Sequence, residues 1–368
     1  MFRILYILSN EPNGGVGAVI ENYVSHFHDR FIVDYLIYTE QRDTPFQKTI
    51  KTENNRIYYL PELRIRDYLS LQKKTNQFFR EHAHEYCIAH LHFAGIASLV
   101  YQPAKKYGLP CRITHSHNPR LSDSAWKELR NRMITGNLKK VSNEYFACSR
   151  DAGRYLFGDS PVYYMHNAID PEAFRYDEQL RQKTREQYGI EDKHVVLFSG
   201  RLEKQKNPER VIEIFSVFAE KDPEAVLLMA GSGSLDEQLH QQAEKTGKDI
   251  RFLGYTREIA ALNQAADVLL LPSEFEGFGI SAIEAQVSGL PCVLSDRFPE
   301  EVDITGDVVH LSLNEDNSVW AEALHASVQK PRADHSREII DAGYDIHTEA
   351  EKLEDYYEEL AKKYGGTQ

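Results

Sequence analysis

The sequence predicts an α/β fold of two Rossmann-like domains that face a central cleft. The chain has 368 residues, and at roughly 100–200 residues per domain this length indicates two domains. Short apolar, β-branched runs alternate with longer amphipathic stretches, as in βα units around a parallel sheet. About six such runs fall in each half, enough for a sheet of its own. With 42% hydrophobic and 27% charged residues, the composition excludes a disordered chain, a collagen-like rod and a disulfide-stapled mini-protein.

The individual elements follow in order along the chain. Six strands are predicted in the first half, with helices between them, the first of which begins after Gly17. These strands are 2–8, 31–38, 56–60, 86–91, 111–115 and 144–147. Six more are predicted in the second half, at 194–199, 225–230, 249–253, 268–271, 292–295 and 308–311. The final stretch, 348–364, has apolar residues at helical spacing and predicts a long terminal helix.

The domain boundary is predicted near residue 170, where the turn-rich stretch 167–171 precedes a charged segment. The first domain then spans residues 1–170 and the second spans 171–345. Residues 346–368 form the terminal helix. In open α/β sheets ligands bind beyond the carboxyl ends of the strands, so functional residues should lie there.

The net charge of −13 argues against a nucleic-acid partner, because phosphate contacts need a basic footprint. The total hides an asymmetry. Residues 1–170 carry 22 Lys and Arg against 17 Asp and Glu, a charge of +5, which leaves −18 for the rest. A basic half can be attracted to an anionic membrane face, although ordinary drift in surface charge explains the asymmetry equally well.

The four Cys residues form no C-x-x-C pair, and we expect them to be buried reduced thiols, as suits the cytoplasm. The start of the chain lacks the pattern of a signal peptide, and no run of about 18 apolar residues occurs. The predicted location is therefore cytoplasmic, with no membrane span.

A glycine-rich loop, 9–17, connects the first strand to the first helix. Its glycines, Gly14 and Gly15 among them, would let backbone N–H groups approach an anion at the helix N-terminus. The loop fits only the first two glycines of G-x-G-x-x-G, because Ile20 occupies the third position. Glu40 after the second strand could imitate a ribose-binding acid, so an NAD-dependent dehydrogenase is one alternative.

Four histidines, His90, His92, His115 and His117, lie at the ends of two predicted strands. A single strand-end histidine is more often structural. Two His-x-His pairs at the same level of the sheet favour a polar substrate site. A zinc site is the other interpretation, but no suitably spaced Cys or carboxylate completes a ligand set.

In the second half, Arg201 and Lys206 follow an apolar strand and precede a helix that begins at Pro208. Two cations beside a helix N-terminus can bind a diphosphate, whereas a solvated basic loop is the simpler alternative. Gly231 and Gly233 form a second glycine turn, which could bring backbone close to a nucleotide or could be an ordinary turn.

The segment 274–285 combines glycines, a helix start and two carboxylates. Gly279, Ile280 and Ser281 offer N–H groups, with Glu276 on the loop and Glu284 predicted two helical turns in. Eight residues rotate a helix only about 80° beyond two full turns, so both acids can face one ligand. Carboxylates bind sugar and ribose hydroxyls well, although any single Glu near a helix start is commonly just solvated.

Together these motifs resemble the retaining, two-Rossmann-domain (GT-B) glycosyltransferases of family four, over nearly the whole chain. This resemblance implies that the terminal helix, residues 346–368, crosses back and packs on the first domain. The resemblance rests on Gly14-Gly15, on Asn167-Ala168-Ile169-Asp170 with Phe174, on Gly200-Arg201-Leu202 through Lys206, on Gly231-Ser232-Gly233, on Phe252-Leu253-Gly254 and on the E-x7-E element from Glu276 to Glu284. Residues 114–118 (THSHN) and 148–158 resemble the branch that acts in exopolysaccharide and capsular polysaccharide biosynthesis.

The family implies a donor-binding role for matching residues of the second domain. Arg201 and Lys206 would hold the donor diphosphate and neutralise charge as the sugar–phosphate bond breaks. Glu276 would hold hydroxyls of the transferred sugar, and Glu284 would bind the ribose. Phosphate contacts would come from the N–H groups near Phe278, Gly279 and Ile280.

The family also implies roles for the first, acceptor-side domain. Gly15 would face the phosphate and the donor sugar, and His117, or else His115, would face the sugar near its reacting carbon. The leaving phosphate would accept the acceptor's proton, so no dedicated protein base is needed.

The implied reaction moves a hexose or N-acetylhexosamine from a nucleotide-diphosphate sugar, with UDP-sugar favoured, to a saccharide acceptor that is lipid-linked. A nucleotide-sugar epimerase or a sugar phosphorylase of the same fold is the alternative. No two Asp residues are separated by one position, so the D-x-D metal motif is absent and neither a metal nor another cofactor is expected.

A basic amphipathic segment follows the histidines, with Trp126, Leu129 and Met133 among its apolar residues. It could lie at the inner face of the membrane beside a lipid-linked acceptor. A core-packed helix with a basic solvent face is an equally good interpretation.

Overall fold

The computed structural model describes residues 2–8, 15–41, 44–62, 64, 67–118 and 138–365. The chain forms two compact units. Unit 1 consists of Met1–Ala168 and Ile346–Gln368, and unit 2 of Ile169–Asp345. The division lies in the turn-rich stretch at which the sequence places its boundary, and the terminal helix is part of unit 1.

Unit 1 is built on a parallel sheet with the strand order β3-β2-β1-β4-β5-β6-β7. Its strands are β1 (Phe2–Leu8), β2 (Phe31–Ile37), β3 (Ile57–Tyr59), β4 (Ile88–Leu91), β5 (Cys111–Ser116), β6 (Glu144–Ala147) and β7 (Tyr163–Tyr164). Its described helices are α1 (Gly15–His26), α2 (Pro45–Ile50), α3 (Tyr68–His82), α4 (Ala97–Lys106), α5 (Leu138–Val141), α6 (Arg150–Phe157) and the terminal α15 (Ile346–Lys363). The terminal helix packs against α1 and β4.

Unit 2 repeats the arrangement with the strand order β10-β9-β8-β11-β12-β13, again parallel. Its strands are β8 (Val195–Ser199), β9 (Val226–Ala230), β10 (Ile250–Gly254), β11 (Val268–Leu271), β12 (Cys292–Ser295) and β13 (Val308–Leu311). Its helices are α7 (Pro171–Phe174), α8 (Glu178–Tyr188), α9 (Pro208–Lys221), α10 (Asp236–Thr246), α11 (Ile259–Ala265), α12 (Ile280–Val287), α13 (Asn317–Ser327) and α14 (Ser336–Asp341).

Local sequence explains why these elements begin and end where they do. The strands β4, β8, β9, β11 and β12 are buried along their whole length, as expected for parallel strands covered on both faces. Asp177 caps α8 by accepting hydrogen bonds from the N–H groups of Gln179 and Leu180, and Gly189 ends the helix in a left-handed conformation. Among the described helices, none has the length and apolar composition that crossing a membrane requires.

The order of the strands determines where a ligand can bind. In both units the order reverses beside the first strand of the unit, between β1 and β4 in unit 1 and between β8 and β11 in unit 2. Ligands of open α/β sheets bind outside the carboxyl ends of the strands at this topological switch point. The loops that follow β8 and β11 therefore form the candidate site of unit 2, and the residues after β4 belong to that of unit 1.

Candidate functional site

The loop after β8 brings Lys206 to the carboxyl edge of the sheet in unit 2. It forms a short 3-10 turn, Lys204–Lys206, and Asn207 then takes a left-handed conformation with φ 52°. Pro208 follows as the first residue of α9, where its missing N–H and fixed φ suit a helix start. Lys206 is thus held at the turn between the strand and the helix.

Lys206 is paired with Glu276 from the loop after β11. Its Nζ lies 2.6 Å from Oε1 of Glu276, and the two side chains are only 16% and 6% exposed. Two further hydrogen bonds join the same loops: the Gln205 side chain donates to the Phe275 carbonyl at 3.1 Å, and Glu274 N–H donates to the Gln205 carbonyl at 2.8 Å. Two loops from either side of the switch point therefore act as one surface.

Arg201 adds a second positive charge to this surface. Its guanidinium donates to Oε1 of Gln205 at 2.7 Å and is otherwise exposed. Gln205 thus contacts both the arginine and the loop after β11. Nothing in the sequence distinguishes Gln205 as a site residue, because a glutamine in a basic loop carries no motif of its own.

Gly231 and Gly233, predicted to contact a nucleotide, allow two loops to pack closely. A Cβ at Gly231 would lie 1.8 Å from the Gly200 carbonyl oxygen, and one at Gly233 would lie 2.3 Å from that of Leu202. Since both obstacles are backbone atoms, only glycine fits. The observed contacts are thus with protein backbone, and contact with a nucleotide stays a prediction.

The start of α12 presents free backbone donors beside Glu276. Gly279 precedes the helix with φ 97°, and Phe278 before it is buried and stacks on Tyr344 with ring centroids 5.1 Å apart. Within the described residues, the N–H groups of Gly279 and Ile280 have no acceptor. Such donors at a helix N-terminus attract an anion.

Glu284 is the fifth residue of α12, which places it little more than one turn into the helix rather than the two turns predicted. It is partly buried, and no described residue pairs with its carboxyl group. Desolvation by burial raises the pKa of Glu284 to about 8. A desolvated, unpaired carboxyl group of this kind would be stabilised by a hydroxyl group that donates a hydrogen bond to it.

In unit 1, four imidazoles lie side by side at the ends of β4 and β5. His90 and His92 stack with ring centroids 4.2 Å apart, and His115 and His117 stack at 3.9 Å. Members of each pair are two residues apart on extended backbone, so they share one face of the sheet. The two His-x-His pairs therefore lie next to each other at the same level of the sheet, as predicted.

Hydrogen bonds link the imidazoles to each other and to the terminal helix. His90 Nε2 lies 3.1 Å from His115 Nδ1, and His92 Nδ1 lies 3.0 Å from His117 Nε2. On the other side of the ring, His90 Nδ1 lies 2.6 Å from the hydroxyl of Tyr357 on α15. The sequence does not predict a role for Tyr357 at this site, because a tyrosine at helical spacing is indistinguishable from an ordinary core residue.

Of the two histidines proposed to face the donor sugar, only His117 reaches solvent. His115 is buried, with 1% of its surface exposed, while His117 is half-buried. Desolvation lowers the pKa of His117 to about 4, so its ring is neutral at pH 7. The pKa values of the other three rings are lowered for the same reason.

Some predicted features lie outside the described residues, among them Gly14 and the amphipathic segment around Trp126 and Met133. Gly15 is described and is the exposed first residue of α1.

Comparison with known proteins identifies the class. Residues 181–344 match the family model described as glycosyl transferases group 1. The structure of Anabaena HepE in complex with UDP and glucose superposes on this protein with a TM-score of 0.80 at 18% identity. The superposition includes 97% of this chain and 100% of the HepE chain, so the two proteins share a fold. The protein is therefore a glycosyltransferase with the GT-B architecture of two Rossmann-like units, as predicted.

Within that class, the match to the group 1 model falls entirely in unit 2, at residues 181–344. It is similar to EpsF of Bacillus subtilis, a proposed glycosyltransferase, with 29% identity over 96% of both chains. It is also 27% identical to the UDP-Gal:α-D-GlcNAc-diphosphoundecaprenol α-1,3-galactosyltransferase of Escherichia coli, over 58% of both chains.

Proposed function

We propose that the protein is a retaining glycosyltransferase that moves a hexose or N-acetylhexosamine from a UDP-sugar to a lipid-linked saccharide during surface polysaccharide biosynthesis. The observation that carries this proposal is the arrangement around Lys206 in unit 2. A partly buried lysine, an exposed arginine and free helix N–H groups surround the switch point at which nucleotides bind in such sheets.

The donor diphosphate would be held by positive charge and by backbone donors. Lys206 and Arg201 would contact its oxygens, together with the N–H groups of Gly279 and Ile280. As the sugar–phosphate bond breaks, negative charge grows on the leaving phosphate, and fixed donors stabilise it more in the transition state than in the bound donor. Sugar hydroxyls would bind Glu276, whose other oxygen remains available beside Lys206.

Glu284 would bind the ribose of the nucleotide. Its unpaired carboxyl group accepts hydrogen bonds best when ionised, and two ribose hydroxyls would supply the donors that the free site lacks. Binding of the nucleotide would then lower the pKa of this carboxyl group.

Retention would follow from attack on the face that the leaving group vacates. The anomeric C–O bond breaks with its electron pair on the nucleoside diphosphate. The acceptor oxygen forms the new bond on the same face, and its proton passes to a phosphate oxygen. Because lysine and arginine neutralise the phosphate, we propose that the transfer needs no metal ion.

Relatives support the choice of substrates. HepE was solved with UDP and glucose, and the name of the E. coli relative specifies a UDP-sugar donor and a diphosphoundecaprenol acceptor. A polyprenol-linked acceptor implies that the enzyme acts at the inner face of the cell membrane. The basic charge of residues 1–170 would be attracted to anionic lipid there.

A panel of nucleotide sugars tests the proposal, with release of UDP or GDP followed in the presence and absence of polyprenol-diphosphate saccharides and of EDTA. We expect acceptor-dependent UDP release that EDTA does not abolish, with the anomeric configuration retained by NMR. Product formed without any acceptor, as by an epimerase, or a nucleotide release that requires added Mg²⁺ or Mn²⁺, would contradict it.

Variants test the site itself. Lys206→Ala and Glu276→Ala should lose most transfer, while Lys204→Ala, an exposed lysine in the same loop, should retain it. Full activity of either site variant would refute the assignment.

A further inference from the structure

The histidine cluster of unit 1 has more potential ligand atoms than sugar binding requires. His90, His92 and His115 each place one ring nitrogen within 4.8 Å of those of the other two. All three side chains are buried, with 0%, 6% and 1% of their surface exposed. Three imidazoles from two adjacent strands therefore converge at one point inside the unit.

Two nitrogens of this cluster lack partners. Nε2 of His92 and Nε2 of His115 are buried, and within the described residues neither has a hydrogen-bond partner. Buried polar atoms are nearly always satisfied in folded proteins, so unpaired ones call for an explanation. An imidazole nitrogen with a free lone pair is the commonest metal ligand in proteins.

We propose that His90, His92 and His115 form a binding site for a first-row transition ion such as Zn²⁺. Three imidazoles suit Zn²⁺, Co²⁺, Ni²⁺ or Cu²⁺ better than Mg²⁺ or Ca²⁺, which prefer oxygen ligands. The site lies in unit 1 and uses neither Lys206 nor Glu276, so it is independent of the proposed function.

The spacing of the rings supports the proposal. His90 Nε2 and His115 Nδ1 are 3.1 Å apart. Two ligands of one tetrahedral zinc ion, each about 2.0–2.1 Å from the metal, are separated by about 3.3 Å. A small rotation would replace this hydrogen bond by an ion shared through His90 Nε2 and His115 Nδ1, with Nε2 of His115 left to water. A ring nitrogen of the third imidazole lies within 4.8 Å.

Groups that would orient the ligands are already in place. Metal-bound histidines usually donate their other N–H to an acceptor, which fixes the ring and its tautomer. The Tyr357 hydroxyl occupies this position beside His90 Nδ1, and His117 Nε2 occupies it beside His92 Nδ1. Because Tyr357 belongs to α15, an ion bound here would also fasten the terminal helix to β4 and β5.

Metal titration of the full-length protein, stripped with a chelator and dialysed, tests the proposal. We expect one equivalent of Co²⁺ to bind with the visible absorption of a tetrahedral nitrogen site, and Zn²⁺ to displace it. His92→Gln should lose this binding, whereas His84→Gln, which changes an exposed histidine outside the cluster, should keep it.

Tyr357→Phe provides a second variant in case His92→Gln fails to fold. It leaves all three ligands and should weaken Co²⁺ binding by about 10-fold or more, the usual effect of losing such an orienting group. Absence of a stoichiometric site in the wild-type protein, or loss of binding in His84→Gln alone, would overturn the proposal. If the wild-type protein has no stoichiometric metal site, water molecules form hydrogen bonds with Nε2 of His92 and Nε2 of His115 instead.

Discussion

Lys206 and Glu276 neutralise each other in a largely desolvated position, so a change to either one affects the other. Lys206→Met would leave the Glu276 carboxylate, 6% exposed, without its cation. Leaving a buried charge unpaired costs the desolvation of that group, here roughly 1–3 kcal/mol of unfolding free energy. Urea denaturation followed by circular dichroism measures the loss.

The double variant separates charge pairing from other effects. Lys206→Met with Glu276→Gln removes both charges and should regain part of the stability, although transfer activity stays low. Lys204→Met, at an exposed lysine, should change stability by less than about 0.5 kcal/mol. Additive losses in the double variant would contradict the pairing.

Glu284 makes stability depend on pH in a defined direction. Burial raises the pKa of its carboxyl group from 4.5 to about 8, so the folded state holds this proton more tightly than the unfolded state. Between these values the unfolded state releases more protons, and the group therefore lowers stability as pH rises. Above about pH 8 its contribution is constant.

Glu284→Gln should consequently raise Tm relative to the wild type, by a margin that grows between pH 5 and about pH 8 and then levels off. Differential scanning fluorimetry across this range measures the margin. Glu244→Gln, at an exposed position of α10, is the matched control. A Tm difference between Glu284→Gln and the wild type that shrinks as pH rises would contradict the raised pKa of Glu284.

At the residue scale, sequence motifs identified the chemical types but not their contacts. Lys206 and Glu276 stand 70 positions apart, and nothing in either local motif shows that they touch. Their contact depends on β8 and β11 being neighbours, which is a property of the sheet. Gly231 and Gly233 match a nucleotide-binding turn in sequence. In the structure, glycine is needed at both positions because the backbones of two loops approach closely there.

At the element scale, the contact between the loops after β8 and β9 depends on Gly231. An alanine there would place its Cβ 1.8 Å from the Gly200 carbonyl oxygen, at a φ of 149°. Neither loop can move without disturbing the strand it continues. We expect Gly231→Ala to be at least about 2 kcal/mol more destabilising than a control glycine substitution.

Gly247→Ala is the matched control. Gly247 ends α10 with φ 64° and has open space around it, so alanine there costs only the left-handed backbone conformation, about 1–2 kcal/mol. Chemical denaturation of both variants gives the comparison. Equal losses would show that the close approach relaxes without cost.

Most strands could be predicted because buried parallel strands are continuous apolar runs. Predicted and observed bounds agree completely for β1, β6 and β11 to β13. The two-residue strand β7 (Tyr163–Tyr164) was missed, since two residues show no pattern. The helix α1 begins at Gly15, two residues before Gly17, because Gly15 and Gly17, which suggested a loop, are themselves helical.

At the scale of the whole molecule, α15 belongs to unit 1 although all of unit 2 precedes it in sequence. Helical spacing predicted the helix, but only the family resemblance suggested where it packs, because an amphipathic face does not specify its partner. In the structure Tyr357 contacts His90, and the buried Glu354 carboxylate accepts from the N–H of His28 at 2.7 Å.

Ending the chain at residue 345 should therefore unfold unit 1 and leave unit 2 folded. Ile346, Leu353 and Leu360 are at most 1% exposed, and at roughly 1.5–3 kcal/mol each their burial contributes about 5–9 kcal/mol. That amount is comparable to the whole stability of a typical domain. Unit 2 is one continuous segment, Ile169–Asp345, with its own sheet, and loses none of its own elements.

Hydrogen exchange read by mass spectrometry distinguishes the two units. In the shortened chain, β1 to β6 should lose protection while β8 to β13 keep it, and UDP should still protect the loops after β8 and β11. Leu353→Asp in the full-length chain should reproduce the loss in unit 1, and Glu359→Gln, on the exposed side of α15, should not. Persistent protection of β1 and β4 would mean that the sheet of unit 1 is stable without the helix that covers His90.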